Sequence, residues 1–500
     1  MRDGARGSLV SWGWQREREE GMKVHNVVGG QLKLASESQL KEIHQAGLDI
    51  LGQIGVRLRS RKALELFQNK GATIIDQSVV RMPKGMVEGA ISTAPSHVLL
   101  AGRSEEFDLH LEKHRVYLGT GGAGVNVYDV QKGETRPAQL SDLASFARVC
   151  DALENIHFFI RPIEPPHLHK LELDIHKYYI SFANTRKYVM GAVYSRESAL
   201  RVMEMAASLA GGMEALRERP FISFNFAMIS PLSFHPEATE ILLDIVHAGL
   251  PVALPASPVA GSTGPASLAG LMALAHAEAL ASIVLAQLAR PKSPVLYSPI
   301  PRPVNWASMH GLKGGIESGM MNAVMAQMSY YIGIPHYADA GGTEARAPDI
   351  QAGYEAAANI MLVALAGGNY IHHAAGLVDS DLTACMEKYV IDDDICGLVI
   401  RALQGLSINK EGMALDTIKE VGPGGNFLTA KHTLDNLRSG EIFIPLCACR
   451  NDSVPALDKA TTRAKTILAA PQPVLIDDET DKRITEKFGI RFDRNGRHLS

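Results

Sequence analysis

The sequence predicts an α/β protein built on a closed (β/α)8 TIM barrel, with an N-terminal helical extension and a C-terminal accessory region. Between residues 113 and 406, short β-branched or aromatic runs alternate with long helical patterns, and no Pro- or Ser-rich linker divides them. Such a barrel needs only about 250 residues, so a chain of 500 has room for additions. The alternative is a doubly wound sheet split over two domains, but a barrel is favoured because closure leaves no unpaired strand edge.

The composition is that of a folded protein without a strong charge bias. Hydrophobic residues make up 46% of the chain and charged residues 21%, which excludes disorder for most of it. The net charge of -4 provides no broad basic field, so neither nucleic acid nor a membrane surface is expected as a partner. Five scattered cysteines are too few for a disulfide framework, which indicates a reducing compartment, the cytoplasm.

The chain before the barrel is expected to comprise two regions. Residues 1–21 lack the apolar core of a signal peptide and are predicted to be a disordered extension, or sequence upstream of a second start at Met22. Residues 22–112 are predicted to be mainly helical, and Ser36 to Gln39 resembles a capping box at the first helix start. The three helices predicted there cover residues 36–54, 60–67 and 83–94.

Eight runs between residues 113 and 406 are predicted as barrel strands, each followed by a helix. The strands are 116–118, 157–161, 188–193, 221–228, 251–254, 294–297, 336–339 and 370–373. The helices are 141–154, 167–184, 195–211, 236–248, 266–290, 314–331, 349–367 and 380–406.

Two further segments have a predicted place in the fold. The stretch 267–289 is apolar, but it contains His276 and Glu278, so a buried helix is expected instead of a membrane span. Residues 407–500 are predicted to form the C-terminal accessory region, which contains a glycine-rich turn.

Gly119 to Gly124 matches the G-x-G-x-x-G pattern of dinucleotide-binding loops. In such a loop the third glycine begins a helix whose amino end faces the phosphates. Here residues 125–129 alternate like a strand, and the next helix start is Ser141. A tight turn at the barrel mouth is therefore predicted, not a nucleotide site.

Histidines suggest a metal-dependent hydrolase as an alternative function. His167 and His169 have the H-x-H spacing of some metal-dependent barrel enzymes, with further ligands available from the set His336, Asp339, His372 and His373. The H-x-H pair follows two prolines at a helix start, which is a poor position for convergent ligands. Cys447 and Cys449 lack a second cysteine pair. No metal site is predicted.

The carboxyl ends of the strands, where barrel enzymes place their chemistry, carry acidic, basic and aromatic side chains but no lysine. The absence of lysine argues against a Schiff-base aldolase. Phe226 and Tyr297 are among the aromatic residues that could surround a cation, although ordinary barrel packing accounts for most single aromatics. A pocket for a small cation is therefore a hypothesis.

Several separated motifs resemble the trimethylamine:corrinoid methyltransferase family. The likeness extends from about residue 40 to 455, in the family's order, and its fold is a (β/α)8 barrel. The motifs are GGAGVNVYD at 121–129, PVAGSTGP at 258–265, GGTEARAPDIQAGY at 341–354, IHHAAGLVDS at 371–380 and GPGGNFL at 422–428.

The resemblance implies transfer of a methyl group from an amine to the cobalt of a corrinoid carried on a separate small protein. Archaeal trimethylamine enzymes of the family carry pyrrolysine after the seventh strand, and Gly342 falls at or within one residue of that position. The chain therefore resembles the subgroup without pyrrolysine, which demethylates quaternary amines such as glycine betaine. A quaternary nitrogen leaves as a neutral tertiary amine, so no catalytic acid is obligatory.

Six residues are predicted to bind the substrate, with His372 or Arg346 holding a carboxylate where the substrate has one. The six are His372, Arg346, Asn225, Phe226, Tyr297 and Tyr354. His373 departs from a small residue usual at its motif position. No cofactor is expected in the chain itself, because the corrinoid arrives on its carrier protein. The rival functions are the hydrolase and a non-catalytic cation-binding barrel, and the sequence does not decide whether a homo-oligomer forms.

Overall fold

The computed structural model describes residues 27–122, 124–166, 170–437, 439, 441–447 and 453–499. The predicted extension 1–21 lies outside these residues, as do His167, His169 and Cys449. The division of the chain into four regions stays a prediction.

The region before the barrel contains the three predicted helices and, in addition, short strands that were not predicted. Ser36 caps the first helix through the expected capping box with Gln39. One tight hairpin, formed by residues 73–75 and 79–81, was not predicted. Its turn contains Asp76 and Gln77, both with positive φ, and lacks the usual Asn-Gly signal. The elements are β1 (Val27–Val28), α1 (Glu37–Asp49), a π-helical turn (Ile50–Ile54), β2 (Val56–Arg57), α2 (Arg61–Asn69), β3 (Thr73–Ile75), β4 (Val79–Arg81), α3 (Lys84–Thr93), β5 (His97–Leu100) and β6 (Leu109–Glu112).

All eight predicted barrel strands are present, and most of the connecting helices begin within a few residues of the predicted start. The eight barrel strands are β7 and β10 to β16, and β8, β9, β17 and β18 lie outside the barrel. In chain order the strands of this part are β7 (Arg115–Thr120), β8 (Asn126–Asp129), β9 (Glu134–Pro137), β10 (Phe158–Ile160), β11 (Tyr188–Gly191), β12 (Ile222–Asn225), β13 (Val252–Ala253), β14 (Val295–Leu296), β15 (Tyr337–Asp339), β16 (Tyr370–Ala375), β17 (Leu377–Val378) and β18 (Thr383–Cys385). The helices are α4 (Leu140–Ala152), α5 (Lys170–Asn184), α6 (Arg196–Ala210), α7 (Met213–Glu218), α8 (Pro236–Ala248), α9 (Leu268–Ala289), α10 (Ile316–Ile332), α11 (Ile350–Leu365) and α12 (Met386–Gln404).

The eight parallel strands close into the predicted barrel. Seven neighbouring pairs form the continuous order β14-β13-β12-β11-β10-β7-β16-β15. The remaining seam, between β14 and β15, is joined by a parallel bridge of Tyr297 with His336. There the Tyr297 amide donates to the Pro335 carbonyl at 2.8 Å, and the Tyr337 amide donates to the Tyr297 carbonyl at 2.9 Å. The barrel prediction is confirmed.

Aromatic side chains fill the barrel interior. Phe158 and Tyr370 stack with their ring centroids 3.5 Å apart, and Tyr337 and Tyr188 pack against Tyr370. The β5–β6 hairpin contributes apolar residues to the same cluster as these rings. The His110 backbone N–H donates to the hydroxyl of Tyr117, which lies near the amino end of β7. The hairpin therefore closes the end of the barrel at which the strands begin, called the lower end below. Access to the interior is left at the carboxyl ends of the strands.

The loops above the barrel contain a second sheet. Strands β17, β18, β8 and β9 pair side by side, and β18 runs parallel to β8. As predicted, a strand and not a helix follows the glycine-rich turn at 119–124, which is not the arrangement of a dinucleotide loop. The last barrel helix was predicted to begin at residue 380 but begins at Met386, because residues 377–385 form β17 and β18.

Helix α9 is formed by the apolar stretch 267–289. It is long and apolar enough to cross a membrane, yet 78% of its most apolar window is buried inside the protein. It packs between the barrel helices and the N-terminal helices α1 and α3.

The C-terminal region adds α13 (Leu415–Val421), α14 (Lys431–Asn436), α15 (Ala456–Ala469) and α16 (Asp478–Phe488). Of these, α15 packs on α12 and α4, and α16 packs on α6.

Replacing Phe158 with Ala is expected to lower the free energy of unfolding by about 3–5 kcal/mol, because it leaves a cavity against Tyr370. Chemical denaturation followed by circular dichroism measures the change. Tyr354→Ala is the control, since Tyr354 is 60% exposed and its removal is expected to cost less than about 0.5 kcal/mol. Equal losses in the two variants would contradict the proposed aromatic core.

Candidate active site

Three polar side chains converge at the open end of the barrel, where β15 and β16 end. Asp339 lies at the end of β15, and His372 and His373 lie on β16; each is no more than 4% exposed. The His373 Nδ1 atom is 2.7 Å from Asp339 Oδ1, and the His372 Nε2 atom is 3.9 Å from the same oxygen. Consecutive residues of a regular strand face opposite sides, so a local distortion is needed to bring both histidines inward.

The distortion is a bulge in β16. Its pairing with β7 shifts register between Ile371 and Ala375, and His373 has a φ of 63°, in the left-handed region. The His373 ring then lies over Gly121, where an added Cβ would be 1.7 Å from the ring. Bulges and strained residues of this kind redirect side chains at functional sites. The glycine-rich turn therefore serves to admit His373.

Two charged side chains reach the same place from loops. The Lys313 ammonium contacts the Asp381 carboxylate directly, and its Nζ is 3.1 Å from Asp339 Oδ2 and 3.3 Å from His373 Nδ1. Asp381 is the last of three consecutive residues with φ between 52° and 71°, a conformation that non-glycine residues seldom adopt. The five residues Asp339, His372, His373, Lys313 and Asp381 are called the mouth cluster below.

A carboxylate outside the mouth cluster holds its two loops in place. Glu344 Oε1 accepts the Lys313 backbone N–H at 2.7 Å, and Glu344 Oε2 accepts the Ser380 hydroxyl at 2.5 Å. The Ser380 amide also donates to the Thr343 carbonyl at 2.9 Å. The loops that carry Lys313 and Asp381 are thus fixed to each other through the segment that follows β15.

Electrostatics set the charge states in the cluster. Burial alone would raise the pKa of Asp339, but Lys313, His373 and His372 outweigh burial and hold it well below its ordinary value. Burial likewise opposes ionisation of Asp381, whereas His373 and Lys313 lower its pKa. Burial, reinforced by His373, holds the pKa of His372 well below its ordinary value. Both carboxylates are therefore ionised at neutral pH, and His372 is neutral.

Of the six predicted substrate-binding residues, His372 and Asn225 lie at the barrel mouth. His372 Nδ1 donates to the Ala338 carbonyl at 2.5 Å, and its ring stacks on Tyr337 with centroids 4.3 Å apart. Asn225 Nδ2 donates to the Tyr337 hydroxyl at 3.3 Å. Asn225 Oδ1 is buried and has no hydrogen-bond partner among the described residues. It is an acceptor left available inside the mouth.

Phe226 and Tyr297 lie elsewhere, which corrects the predicted set. Phe226 packs with Phe224 in the apolar layer between the barrel and its helices. The Tyr297 hydroxyl bonds to His276 Nδ1 on α9 at 2.6 Å, in the same outer layer. Phe226 directly follows β12 and Tyr297 directly follows β14, and both side chains pack in the layer outside the barrel, away from the mouth.

Arg346 and Tyr354 are also outside the mouth cluster. The Arg346 side chain is 91% exposed and lies 3.7 Å from Asp379. Tyr354, on α11, is 60% exposed. Arg302 reaches the cluster instead, with its Nη2 3.9 Å from Asp339 Oδ2.

Sequence reasoning missed Lys313, Asp381 and Arg302. No lysine is among the residues that directly follow the barrel strands. Lys313 is further along the chain, in the long loop between β14 and α10, and reaches the cluster from there. The spacing of a loop residue from a strand end carries no distance information, so no sequence signal could have placed it. Because Lys313 is engaged by two carboxylates, it is held as an ion-paired ammonium and not as a free amine nucleophile.

Gly342 is buried beside the cluster. A Cβ added there would lie 3.0 Å from the Cβ of Lys313 and 3.6 Å from Asp381 Oδ1. A side chain at position 342 would therefore point into the space that Lys313 and Asp381 occupy.

A metal ion is the other ligand that these groups could hold. Asp339, His372 and His373 offer ligand atoms within 4.8 Å of one another. The Lys313 ammonium, however, lies among the same atoms, so a metal would have to displace it. His336, the fourth suggested ligand, is buried in the outer layer beside Tyr297, and its pKa is lowered by burial to about 3. The arrangement favours an organic ligand.

A closed barrel with a buried polar cluster at the carboxyl ends of its strands defines a TIM-barrel enzyme. The sequence profile described as trimethylamine methyltransferase (MTTB) matches residues 13–491. The chain belongs to this family and is a methyltransferase.

Individual relatives agree with this assignment. The chain is 34% identical to a trimethylamine methyltransferase of Desulfitobacterium hafniense DCB-2, over 83% of this chain and 84% of the relative. It is 30% identical to a glycine betaine methyltransferase of D. hafniense Y51, over 90% and 95% of the two chains. The crystal structure of the Methanosarcina barkeri monomethylamine methyltransferase superposes with a TM-score of 0.51 at 13% identity, over 92% and 89% of the chains, and supports the fold.

Acid is expected to remove the stabilisation that Asp339 provides. Because its folded-state pKa lies below the unfolded value of about 4, this stabilisation is complete above pH 4 and is lost as the pH falls further. The difference in unfolding free energy between the wild type and Asp339→Asn should therefore shrink between pH 6 and pH 3, measured by urea denaturation. Asp416→Asn, at an exposed site, is the control. A difference independent of pH would show that Asp339 is not held ionised by its neighbours.

Proposed function

We propose that this protein transfers a methyl group from a quaternary amine to the Co(I) of a corrinoid that a separate protein carries. The observation that supports this most strongly is the mouth cluster, a buried set of paired charges at the only open end of the barrel among the described residues. A relative named for glycine betaine covers nearly the whole chain.

The surroundings of Gly342 favour a quaternary amine over trimethylamine. By resemblance, position 342 corresponds to the pyrrolysine of archaeal trimethylamine enzymes, and here it has no side chain. The adjacent space is filled by Lys313 and Asp381, which are bonded to each other. This chain thus has a fixed ion pair where those enzymes have a reactive side chain.

The chemistry requires positioning more than proton transfer. When the methyl carbon moves to Co(I), the C–N bond breaks with its electron pair remaining on nitrogen, and a neutral tertiary amine leaves. The nucleophilic electron pair comes from cobalt, so the protein needs neither a nucleophile nor an acid. Holding nitrogen, carbon and cobalt in line can contribute several kcal/mol, on the order of 7 or more in favourable cases.

The barrel supplies groups suited to a cationic head. The ring of Tyr337 and the free acceptor Asn225 Oδ1 face the interior next to ionised Asp339. Aromatic faces and oxygen acceptors are the groups that replace water around a quaternary nitrogen. The rings of His372 and Tyr337 stack, which fixes the orientation of both.

The acceptor protein has one direction of approach. The β5–β6 hairpin closes the lower end of the barrel, so the corrinoid has to reach the substrate from the side of the mouth cluster and of the sheet formed by β8, β9, β17 and β18. The cytoplasm stays the predicted compartment, and the four described cysteines form no disulfide.

Purified protein is expected to produce methyl-cobalt absorbance when mixed with glycine betaine and reduced cobalamin as a surrogate acceptor. His372→Ala, which removes the ring stacked on Tyr337, is expected to weaken betaine binding about tenfold or more in calorimetry, equivalent to about 1.4 kcal/mol. Tyr354→Ala, at an exposed site, is the control.

The same preparation separates the rival functions. A stoichiometric metal in elemental analysis would favour the hydrolase. Betaine binding without methyl transfer, to cobalamin or to a panel of corrinoid proteins, would favour a binding protein. Failure of betaine to bind would contradict the proposed function.

A further inference from the structure

The mouth cluster and its neighbour Arg302 have no surplus of negative formal charge. Asp339 and Asp381 are negative, and Lys313 and Arg302 are positive. The pKa of Asp381 is lowered mainly by His373 and Lys313 against the effect of burial, with a smaller contribution from Arg302. A bare organic cation entering this site would find no surplus negative charge. A ligand that carries both charges would preserve the balance, because each of its charges has an opposite partner.

Four of the residues discussed above could donate to a ligand carboxylate: Lys313, His372, Arg346 and Arg302. Lys313 is engaged by the carboxylates of Asp381 and Asp339, and its side chain is only 4% exposed. His373 Nδ1, 3.3 Å from Lys313 Nζ, faces Asp339 Oδ1 and donates to it, so it does not accept from Lys313. Neutral His372 donates Nδ1–H to Ala338, so its Nε2 can only accept. Arg346 is exposed and is paired with Asp379. Neither His372 nor Arg346 has a donor that faces the mouth and is still available, and Lys313 is held between two carboxylates.

Arg302 has the required properties. Its Nε is buried without a hydrogen-bond partner among the described residues, and its closest carboxylate oxygen, on Asp339, is 3.9 Å from Nη2. Its backbone is fixed, since the Arg302 amide donates to Pro258 at 2.9 Å and its carbonyl accepts from Ala260 at 3.0 Å. The side chain is 31% exposed, so it lies at the rim where the buried cluster meets the outside.

We propose that Arg302 binds the carboxylate of a zwitterionic quaternary amine and so makes the enzyme selective for betaines over bare cations. The proposal rests on the function given above and adds the substrate class and the residue that selects it. A guanidinium presents paired N–H groups in a fork that matches a carboxylate. With the carboxylate at Arg302, the trimethylammonium end lies against the anionic oxygens of the cluster, at the open end from which the corrinoid approaches.

The test compares Arg302→Gln and Arg302→Lys with a control, Arg346→Gln. The control removes an exposed arginine that pairs with Asp379 outside the mouth cluster. Each is assayed with glycine betaine, with choline, which has a hydroxyl in place of the carboxylate, and with tetramethylammonium. Arg302→Gln should raise the KM for betaine about tenfold or more while kcat stays within about threefold, as expected for loss of a charged hydrogen bond made equally before and during reaction. Arg302→Lys should restore part of the affinity, and Arg346→Gln should leave it unchanged.

Wild-type kcat/KM for choline and tetramethylammonium should be at least about tenfold below that for betaine, and Arg302→Gln should narrow this gap. The proposal is overturned if Arg302→Gln changes the betaine KM by less than about twofold, or if the wild type uses bare cations as well as betaine. Calorimetric titration of betaine, choline and tetramethylammonium, without any acceptor, reports selectivity independently of catalysis. If betaine binds through Arg302 but no substrate methylates cobalt, then the methyl-transfer function fails and the carboxylate site stands.

Discussion

The arrangement of the active site depends on one buried ammonium, that of Lys313. It contacts Asp381 and lies close to Asp339 and His373, and so links residues from a loop, two strands and a strained turn. Buried charges cost several kcal/mol each unless they are paired, so no member of this group is tolerable alone. The mouth cluster is therefore a unit, and removal of one charge leaves its partner uncompensated. This interdependence accounts for the ionised state of Asp339 within a buried site.

The unusual backbone around the cluster follows from that requirement. Asp381 comes last in a run of three left-handed residues, and His373 lies in a bulge at φ 63°. Such conformations cost on the order of 1–3 kcal/mol each and persist only where the surrounding contacts enforce them. The glycine at 121 and the Glu344 bonds to the two loops provide this enforcement. Charge pairing and these contacts thus hold the strained backbone in a single arrangement, so the site is preorganised for a ligand.

The fold could be read from the sequence because barrel strands are local patterns. Each is a short apolar run bounded by turn residues, and all eight runs fell within the observed strands or overlapped them. The site could not be read in the same way. Strand alternation, applied strictly, would have placed Phe226 and Tyr297 in the outer layer, but the same rule would have sent one of the two histidines outward. Lys313 and Arg302 reach the cluster from a loop whose path no periodicity describes, so the structure was needed to find them.

The charge pattern bears on why a barrel of this family can work without a reactive side chain at position 342. A tertiary amine needs its leaving nitrogen activated. A quaternary nitrogen already carries a positive charge, and the electron pair of the C–N bond neutralises that charge when the methyl group leaves. The protein's task is then to remove water from a permanent cation without trapping it, and a strong uncompensated carboxylate would bind the ground state too well. In this site Lys313 already pairs with both carboxylates. Binding energy comes instead from the far end of the substrate, which does not change charge as the methyl group moves, and such remote binding can be used to fix the reacting atoms in line.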